Sequence, residues 1–347
     1  MSKTLKIGMI GAGAIAGTHV SYLKKISGVE IYAVCDTREQ AAKDMAQKQG
    51  IPKVFTSYKD VLALKELDAV SVCTPNYFHS EPTIAALNAG KHVLVEKPMA
   101  MNAKEAQKMV DAAKRAKKVL VIGFQWRYHP NAQMIKRAAD DGKLGNVLYA
   151  RCQALRRRGI PNWGVFGQKK LQGGGPMIDI GVHIIEVAHY LMGSPNPVSA
   201  SGNCYTYIGN KKPVTRCSWG PWDYKTYTVE DLAVGLIRFD NGATLVIEAS
   251  FAAHIEKDIF SFTLMGDKGG ASFDPPVIFT DMSGTMFNVA PVFTGREDMF
   301  ELKMRDWVES IQTGKAPIAP GEHGLIVQKM LDGVYKSAET GKEVSLR

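Results

Sequence analysis

Three residues could together move a proton and assist a hydride: Lys97, Asp179 and His183. Lys97 stands in Glu96-Lys97-Pro98, directly after the apolar run Val93-Leu94-Val95. A lysine at a strand end, above a nucleotide site, can donate to a substrate oxygen and join a proton relay. Pro98 fixes the backbone beside it, and the Lys-Pro bond is open to the cis form. Taken alone, Lys97 reads more often as a surface lysine at a turn. Asp179 and His183 lie in Gly173-Gly174-Gly175-Pro176-Met177-Ile178-Asp179-Ile180-Gly181-Val182-His183. A glycine run leads into a helix, with Pro176 suited to its first turn. Ile178, Val182, Ile185 and Met192 fall on one helical face, whereas Asp179 and His183, four apart, share another. The imidazole can take a proton near neutral pH. The carboxylate can favour imidazolium or bind substrate. Read without context, the pair is as often a capping acid and a surface histidine. Two ligands without a clear third make a poor metal site, so no metal is expected. His189 is taken as structural.

These groups need a cofactor site, and the first stretch supplies one. Lys6-Ile7-Gly8-Met9-Ile10-Gly11-Ala12-Gly13-Ala14-Ile15-Ala16-Gly17 reads as a buried strand, a glycine turn and a helix. Gly11 allows the tight turn, Gly13 lets a pyrophosphate approach the backbone, and Ala16 lets helix and strand pack closely. The helix N-terminus, with Ala14 and Ile15, offers N–H groups to the phosphates. A second strand, Glu30–Cys35, ends at Asp36, 20 residues beyond Ala16, where an acid binds the adenosine ribose. Asp36 should repel the extra phosphate of NADP and so favours NAD. Arg38, beside Thr37, leaves NADP the less favoured option, since an arginine can pair with phosphate. In an open parallel sheet the ligand lies beyond the strand ends. The other cofactor candidates are therefore Thr74-Pro75-Asn76 with His79, then Glu96 and Lys97, then Gln125. Substrate candidates are Lys97, Trp126, Arg127, Tyr128, Arg158, Trp163, Asp179 and His183.

The elements that must position these residues can be read in order. Strands are expected at Lys6–Ile10, Glu30–Cys35, Lys53–Phe55, Asp68–Cys73, Lys91–Val95 and Val119–Phe124. Helices alternate with them, at about Ala14–Ser27, Arg38–Gln49, Tyr58–Leu64, Pro82–Ala89 and Asn102–Lys117. Such alternation means a doubly wound parallel sheet with helices on both faces. After a connecting helix at about Asn131–Asp141 the pattern changes. Val147–Arg157, Val198–Tyr207, Val229–Phe239 and Thr244–Phe251 alternate as strands do, with a hairpin turn at Asp240-Asn241-Gly242. Ile259–Met265 and Ser272-Phe273 add another hairpin. Asp298–Gln312 and Glu322–Glu339 read as helices that could pack back on the first half. The expected class is α/β, with domains 1–125 for the cofactor and 126–347 for substrate and oligomerisation.

Composition excludes several classes. The 347 residues suit two domains. Net charge is +9, but the basic residues are mostly spread singly along solvated helices, so nucleic acid is not expected. The cluster Arg156-Arg157-Arg158 precedes a Gly-Ile-Pro-Asn-Trp loop and could face an anionic group or serve structure. No signal peptide and no bilayer-spanning run are read. Five widely spaced cysteines, with no CxxC pair, suggest reduced thiols in a cytoplasm.

Together, the GAGAIA turn, CTPN, EKPMA, GFQWRYHP and GGGPMIDIGVH, in that order, resemble the Gfo/Idh/MocA family of sugar and polyol dehydrogenases. The resemblance covers nearly the whole chain. It implies a Rossmann domain, a second α/β domain whose large, open, mainly antiparallel sheet forms an oligomer interface, and catalytic roles for Lys97, Asp179 and His183. The stretch RRRGIPNWGVF resembles a subgroup that oxidises the carbon-3 hydroxyl of glucosides. The expected activity is NAD-dependent oxidation of a secondary hydroxyl of a sugar, glycoside or inositol by a cytoplasmic homo-oligomer. Two alternatives remain at this point. One is an NAD-dependent glycosidase that oxidises its sugar transiently and eliminates the aglycone. The other is a non-catalytic sugar or cofactor sensor, against which the retention of Lys97 and His183 argues.

Overall fold

The computed structural model describes residues 4–347. The chain divides into two compact units, one running to Gln125 and including Asp298–Leu325, the other comprising Trp126–Glu297 and Ile326–Arg347.

The first unit begins with β1 (Leu5–Ile10), α1 (Ala14–Leu23), β2 (Val29–Cys35), α2 (Glu39–Gln49), β3 (Lys53–Phe55) and α3 (Tyr58–Leu62). β4 (Ala69–Val72), α4 (Ser80–Asn88), β5 (His92–Val95), α5 (Ala103–Ala116) and β6 (Leu120–Ile122) follow. All strand pairs are parallel, in the order β3-β2-β1-β4-β5-β6. Ile7, Met9, Val70, Val72, Val93 and Leu94 are fully enclosed, as the continuous apolar runs require of a sheet covered on both faces. The strand order reverses between β1 and β4, which opens a crevice beyond their carboxyl ends.

The second unit holds α6 (Pro130–Asp140), β7 (Val147–Leu155), the short α7 (Lys169–Gln172), a π-helical turn at Met177–Gly181, and α8 (Val182–Leu191). Then come β8 (Pro197–Tyr205), β9 (Leu232–Phe239), β10 (Thr244–Ser250), β11 (Ile259–Gly266), β12 (Gly270–Ser272), β13 (Val277–Met282) and β14 (Thr285–Val289). Two late helices, α9 (Met299–Thr313) and α10 (Gly321–Thr340), precede β15 (Val344–Ser345). The nine strands are ordered β14-β13-β12-β11-β7-β10-β9-β8-β15. Only the β7–β10 pair is parallel, so the sheet is mainly antiparallel. In β9, Ala233, Gly235, Ile237 and Phe239 alternate inward, toward the face that α8 covers, and the residues between them are less buried.

α9 belongs to the first unit. Asp298 caps it by accepting from the Phe300 and Glu301 N–H groups, and also accepts the Tyr22 hydroxyl at 2.7 Å. The helix lies along α1, with Tyr22 and Phe300 stacked, and buries Lys303, Met304 and Trp307. The segment after it closes the sheet edge, where the Ile122 N–H donates to Ala319 O.

Three expectations change. The last strand of the first sheet stops at Ile122 rather than Phe124, because the Phe124 N–H turns back to Ile122 O at 2.6 Å. β13 and β14 were not expected. β14 is exposed throughout and β13 is partly buried along most of its length, so the buried-face alternation that marks a strand is missing. The helix carrying Asp179 and His183 is not α-helical throughout, since its first turn is π.

Candidate active site

In the first unit the cradle is made by backbone. The Gly11 N–H donates to Cys35 O at 2.8 Å, and Gly11 adopts φ +99, where a side chain is strained. A Cβ there would also lie 2.6 Å from Cys73 O, so β1 and the Cys73-Thr74 segment can approach only at a glycine. Gly13 is different. A Cβ on it would meet nothing among the described residues within 4 Å. The space in front of it is therefore left open by the protein, as the approach of a pyrophosphate requires. Gly13 is also the N-cap of α1, with no side-chain cap and no acid in the first turn, so its N–H groups are available to phosphate. Asp36 stands at the end of β2. One carboxylate oxygen accepts the Ala12 N–H at 2.9 Å, and the other accepts the Arg38 N–H and, at 3.4 Å, its Nε. Arg38 is thus turned toward Asp36. These residues fit a dinucleotide with a free adenosine ribose.

The segments after β4 and β5 are locked together from below. His79 is buried, and its two ring nitrogens lie 2.8 Å from Thr74 O and Pro98 O. The sequence suggested that His79 touches cofactor; the structure gives it the work of fixing two site loops instead. Glu96 is likewise taken up inside. Its Oε1 accepts from Lys303 at 2.9 Å and sits 2.9 Å from His19 Nε2, and its Oε2 accepts the Lys97 N–H at 3.2 Å. His19 also meets Ser71 at 2.8 Å. Burial alone would raise the Glu96 pKa, but Lys303 and His19 outweigh it and hold it well below the carboxylate range. Burial and the Lys303 charge push His19 down to about 4, so it is neutral. Glu96 anchors the backbone of Lys97, which follows β5 and is half-buried, with a cis bond to Pro98. Asn76 and Gln125 are buried at the ends of β4 and β6.

In the second unit, Asp179 lies in the π turn and His183 in the first turn of α8. Asp179 is half-buried and His183 mostly buried. The turn is seated by a residue that the sequence did not single out. Glu230 accepts the Gly175 N–H at 2.9 Å, the Met177 N–H at 3.3 Å and the Tyr335 hydroxyl at 2.7 Å. Burial raises its pKa against those donors. A Cβ on Gly175 would come 2.2 Å from Glu230 O, which explains a glycine there. The signal was an acid at the entry of an apolar strand, next to Asp231. Asp231 is fully buried and accepts the Tyr207, Ile208 and Gly209 N–H groups.

Trp126 joins this half. Its ring lies 6.5 Å from that of His183, edge to face, and 4.6 Å from Phe260. Arg127, expected at the substrate, is not available to it. The guanidinium is 0% exposed, pairs with Glu186 at 2.7 Å and lies 4.8 Å from the Tyr190 ring. An isolated buried cation is too costly without such a partner. Burial raises Glu186 to about 7, with Arg127 opposing. Tyr128 is buried as well. Arg158 is held by Arg157 O, Ala253 O and His254 Nε2. Its neighbour Arg156 is half-buried. Burial lowers its pKa, while the Asp179 carboxylate favours its charge. Its guanidinium lies 4.5 Å from the Trp219 ring. Trp163 is exposed and stacks on Trp219.

The arrangement offers, in one unit, a dinucleotide cradle beside a lysine, and in the other, a carboxylate and an imidazole on one turn. Comparison with known proteins agrees. Residues 5–124 match the family model described as an oxidoreductase family, NAD-binding Rossmann fold, and residues 136–346 match its C-terminal α/β domain. The chain belongs to the Gfo/Idh/MocA oxidoreductases, and its first domain is NAD-binding. It is 39% identical to a D-glucoside 3-dehydrogenase of Escherichia coli, over 99% of this chain and 98% of that one. It is 28% identical to a myo-inositol 2-dehydrogenase of Thermotoga maritima, again over 99% and 98%. Among solved structures, an oxidoreductase domain protein from Kribbella flavida superposes with a TM-score of 0.87 at 27% identity, covering 99% of this chain and 100% of that one.

Proposed function

We propose that this protein oxidises a secondary hydroxyl of a sugar, a glycoside or an inositol, and that a glucoside hydroxyl at carbon 3 is a favoured target. The observation that carries the reading is a lysine at the end of β5 and an acid–imidazole pair on the π turn and α8 in a chain 39% identical to a D-glucoside 3-dehydrogenase. NAD, when bound, supplies the hydride acceptor. Gly11, Gly13, Ala14 and Ile15 hold its pyrophosphate, Asp36 its adenosine ribose, and Thr37, Thr74, Pro75, Asn76 and Gln125 line the rest.

His183 takes the hydroxyl proton, and Asp179 orients the imidazole or holds a neighbouring hydroxyl. Lys97 donates to the same oxygen and stabilises the charge that develops on it. Trp126 and Trp163 contact the substrate. The reading requires Lys97 and His183 to act on one hydroxyl. The unit comprising Trp126–Glu297 and Ile326–Arg347 is the substrate-binding part, and the exposed β14 strand supports a homo-oligomer. Among the described residues no helix is long and apolar enough to cross a membrane.

A panel of glucosides, hexoses and inositols, followed by NADH absorbance with NAD and then NADP, tests the activity. NADH should appear in step with ketone product. Aglycone release without NADH would overturn the assignment. Lys97→Ala should lower turnover by roughly 10²–10⁴-fold while NAD still binds in titration calorimetry. Undiminished turnover would remove Lys97 from the mechanism.

A further inference from the structure

Trp163 is 55% exposed, yet the loop that carries it is not loose. Two loops of the second unit, around 159–168 and 206–230, are stapled together. The Asn162 side chain donates to Trp219 O at 2.6 Å. The Thr228 N–H donates to Gly167 O at 2.8 Å, and the Lys169 N–H to the Thr228 hydroxyl at 2.9 Å. Trp222 is buried, and its Nε1–H donates to Gly209 O at 2.7 Å. Within this frame the indoles of Trp163 and Trp219 lie 5.3 Å apart and 10° from parallel. Behind Trp219 the Arg156 guanidinium lies 4.5 Å from the ring and donates to Gly159 O at 3.0 Å. Arg156 follows β7, its N–H donates to Ser250 O at 3.0 Å, and the adjoining Ala249 lies against the π turn that carries Asp179, where a Cβ on Gly181 would come 3.2 Å from the Ala249 Cβ. A fixed stack therefore runs from Arg156 through Trp219 to the exposed Trp163, with the Phe166 ring edge-on to it at 6.1 Å.

An exposed indole held on a loop ordered by hydrogen bonds is a preformed contact surface, with an apolar body to cover and a polar edge that stays wet. An indole face recognises flat groups with an apolar side. We propose that Trp163, backed by Trp219 and Arg156, is an aglycone subsite: the non-reacting ring of a glycoside lies on the indole while its sugar reaches Asp179. This rests on the glycoside reading of the active site and extends it by naming the substrate's other half. Two sources supply such a ring, an aryl aglycone and a second pyranose.

The test compares kcat/KM for methyl β-D-glucoside, phenyl β-D-glucoside and cellobiose, with NAD saturating. A ring partner should raise kcat/KM over methyl by roughly tenfold. Trp163→Ala should collapse that ratio toward one, and Trp163→Phe should keep most of it. Whichever of phenyl glucoside and cellobiose gains more identifies the source. Quenching of tryptophan fluorescence by phenyl glucoside gives a readout without turnover, and should vanish in Trp163→Ala. Equal kcat/KM for all three glucosides overturns the subsite and leaves the dehydrogenase reading intact. Quenching with no oxidation of any glucoside does the reverse. Sedimentation of Trp163→Ala must match the parent; a change of assembly would mean that a second copy covers the indole, and the subsite would be wrong.

Discussion

Glu230 touches no candidate catalytic atom, yet the turn beneath Asp179 and His183 hangs from it. Glu230→Ala would leave the Gly175 and Met177 N–H groups and the Tyr335 hydroxyl without their acceptor. The expected loss is about 1–3 kcal/mol for each buried group left unsatisfied, read from urea unfolding. Turnover should fall with it, because the π turn loses its seat. A variant with parent stability and parent turnover would show that the turn holds itself. Lys97 beside a proline at a strand end, and Asp179 and His183 four apart, stand out by type and spacing, but their candidate roles come from the family resemblance. Their supports do not stand out. Arg127 reads as a substrate contact because it lies just beyond the end of a strand. Only the fold reveals Glu186 one helix away, and with it a buried pair. Glu96 and His79 were placed against the cofactor for the same reason. Position after a strand says that a side chain is near a site, but not whether it points into the crevice or back into the core.

At the level of elements, the least expected join is between α9 and the first sheet. Lys303 enters from a helix more than 200 residues beyond Glu96 and sits fully buried between Glu96 and His19. Nothing in the local pattern of α9 separates this lysine from its solvated neighbours. Lys303→Met should destabilise the protein by about 3–5 kcal/mol, because it strands a buried carboxylate. Adding Glu96→Gln should recover much of the loss in thermal unfolding, since no uncompensated charge then remains. No recovery would mean that shape rather than charge matters there. His19 gives a pH signature. Its folded pKa is about 4, below the ordinary 6.5, so the unfolded chain binds the proton first. The stability it contributes is present above pH 6.5 and is lost as pH falls toward 4, on the order of 3 kcal/mol in all. Glu186, raised to about 7, works in the opposite sense as pH rises through that value. The readout is therefore the difference between the parent and His19→Asn across pH 4–7, which should shrink on acidification. A constant difference would remove His19 from the acid response.

Over the whole chain, the parallel and antiparallel halves were legible because period and turn residues differ so sharply between them. The β13–β14 hairpin was not, since β14 is exposed along its whole length and β13 is only partly covered, so neither shows an alternating buried face. Met286 is 87% exposed, and Phe287, Val289 and Phe293 are exposed with it. For the proposed homo-oligomer these residues are the candidate contact. Phe287→Glu with Val289→Glu should lower the sedimentation coefficient toward that of a single chain, and unchanged sedimentation would place the contact elsewhere. The discontinuity of the first unit bears on how the protein is made. Its sheet edge, its α1 partner and the counter-ion of Glu96 all come from residues after Asp298. A ribosome that has released residues 1–125 has released an amino-terminal half still missing its closing piece. The nucleotide-binding half can therefore be completed only when translation is nearly finished, and a message cut short after codon 125 should yield a chain that aggregates or is degraded.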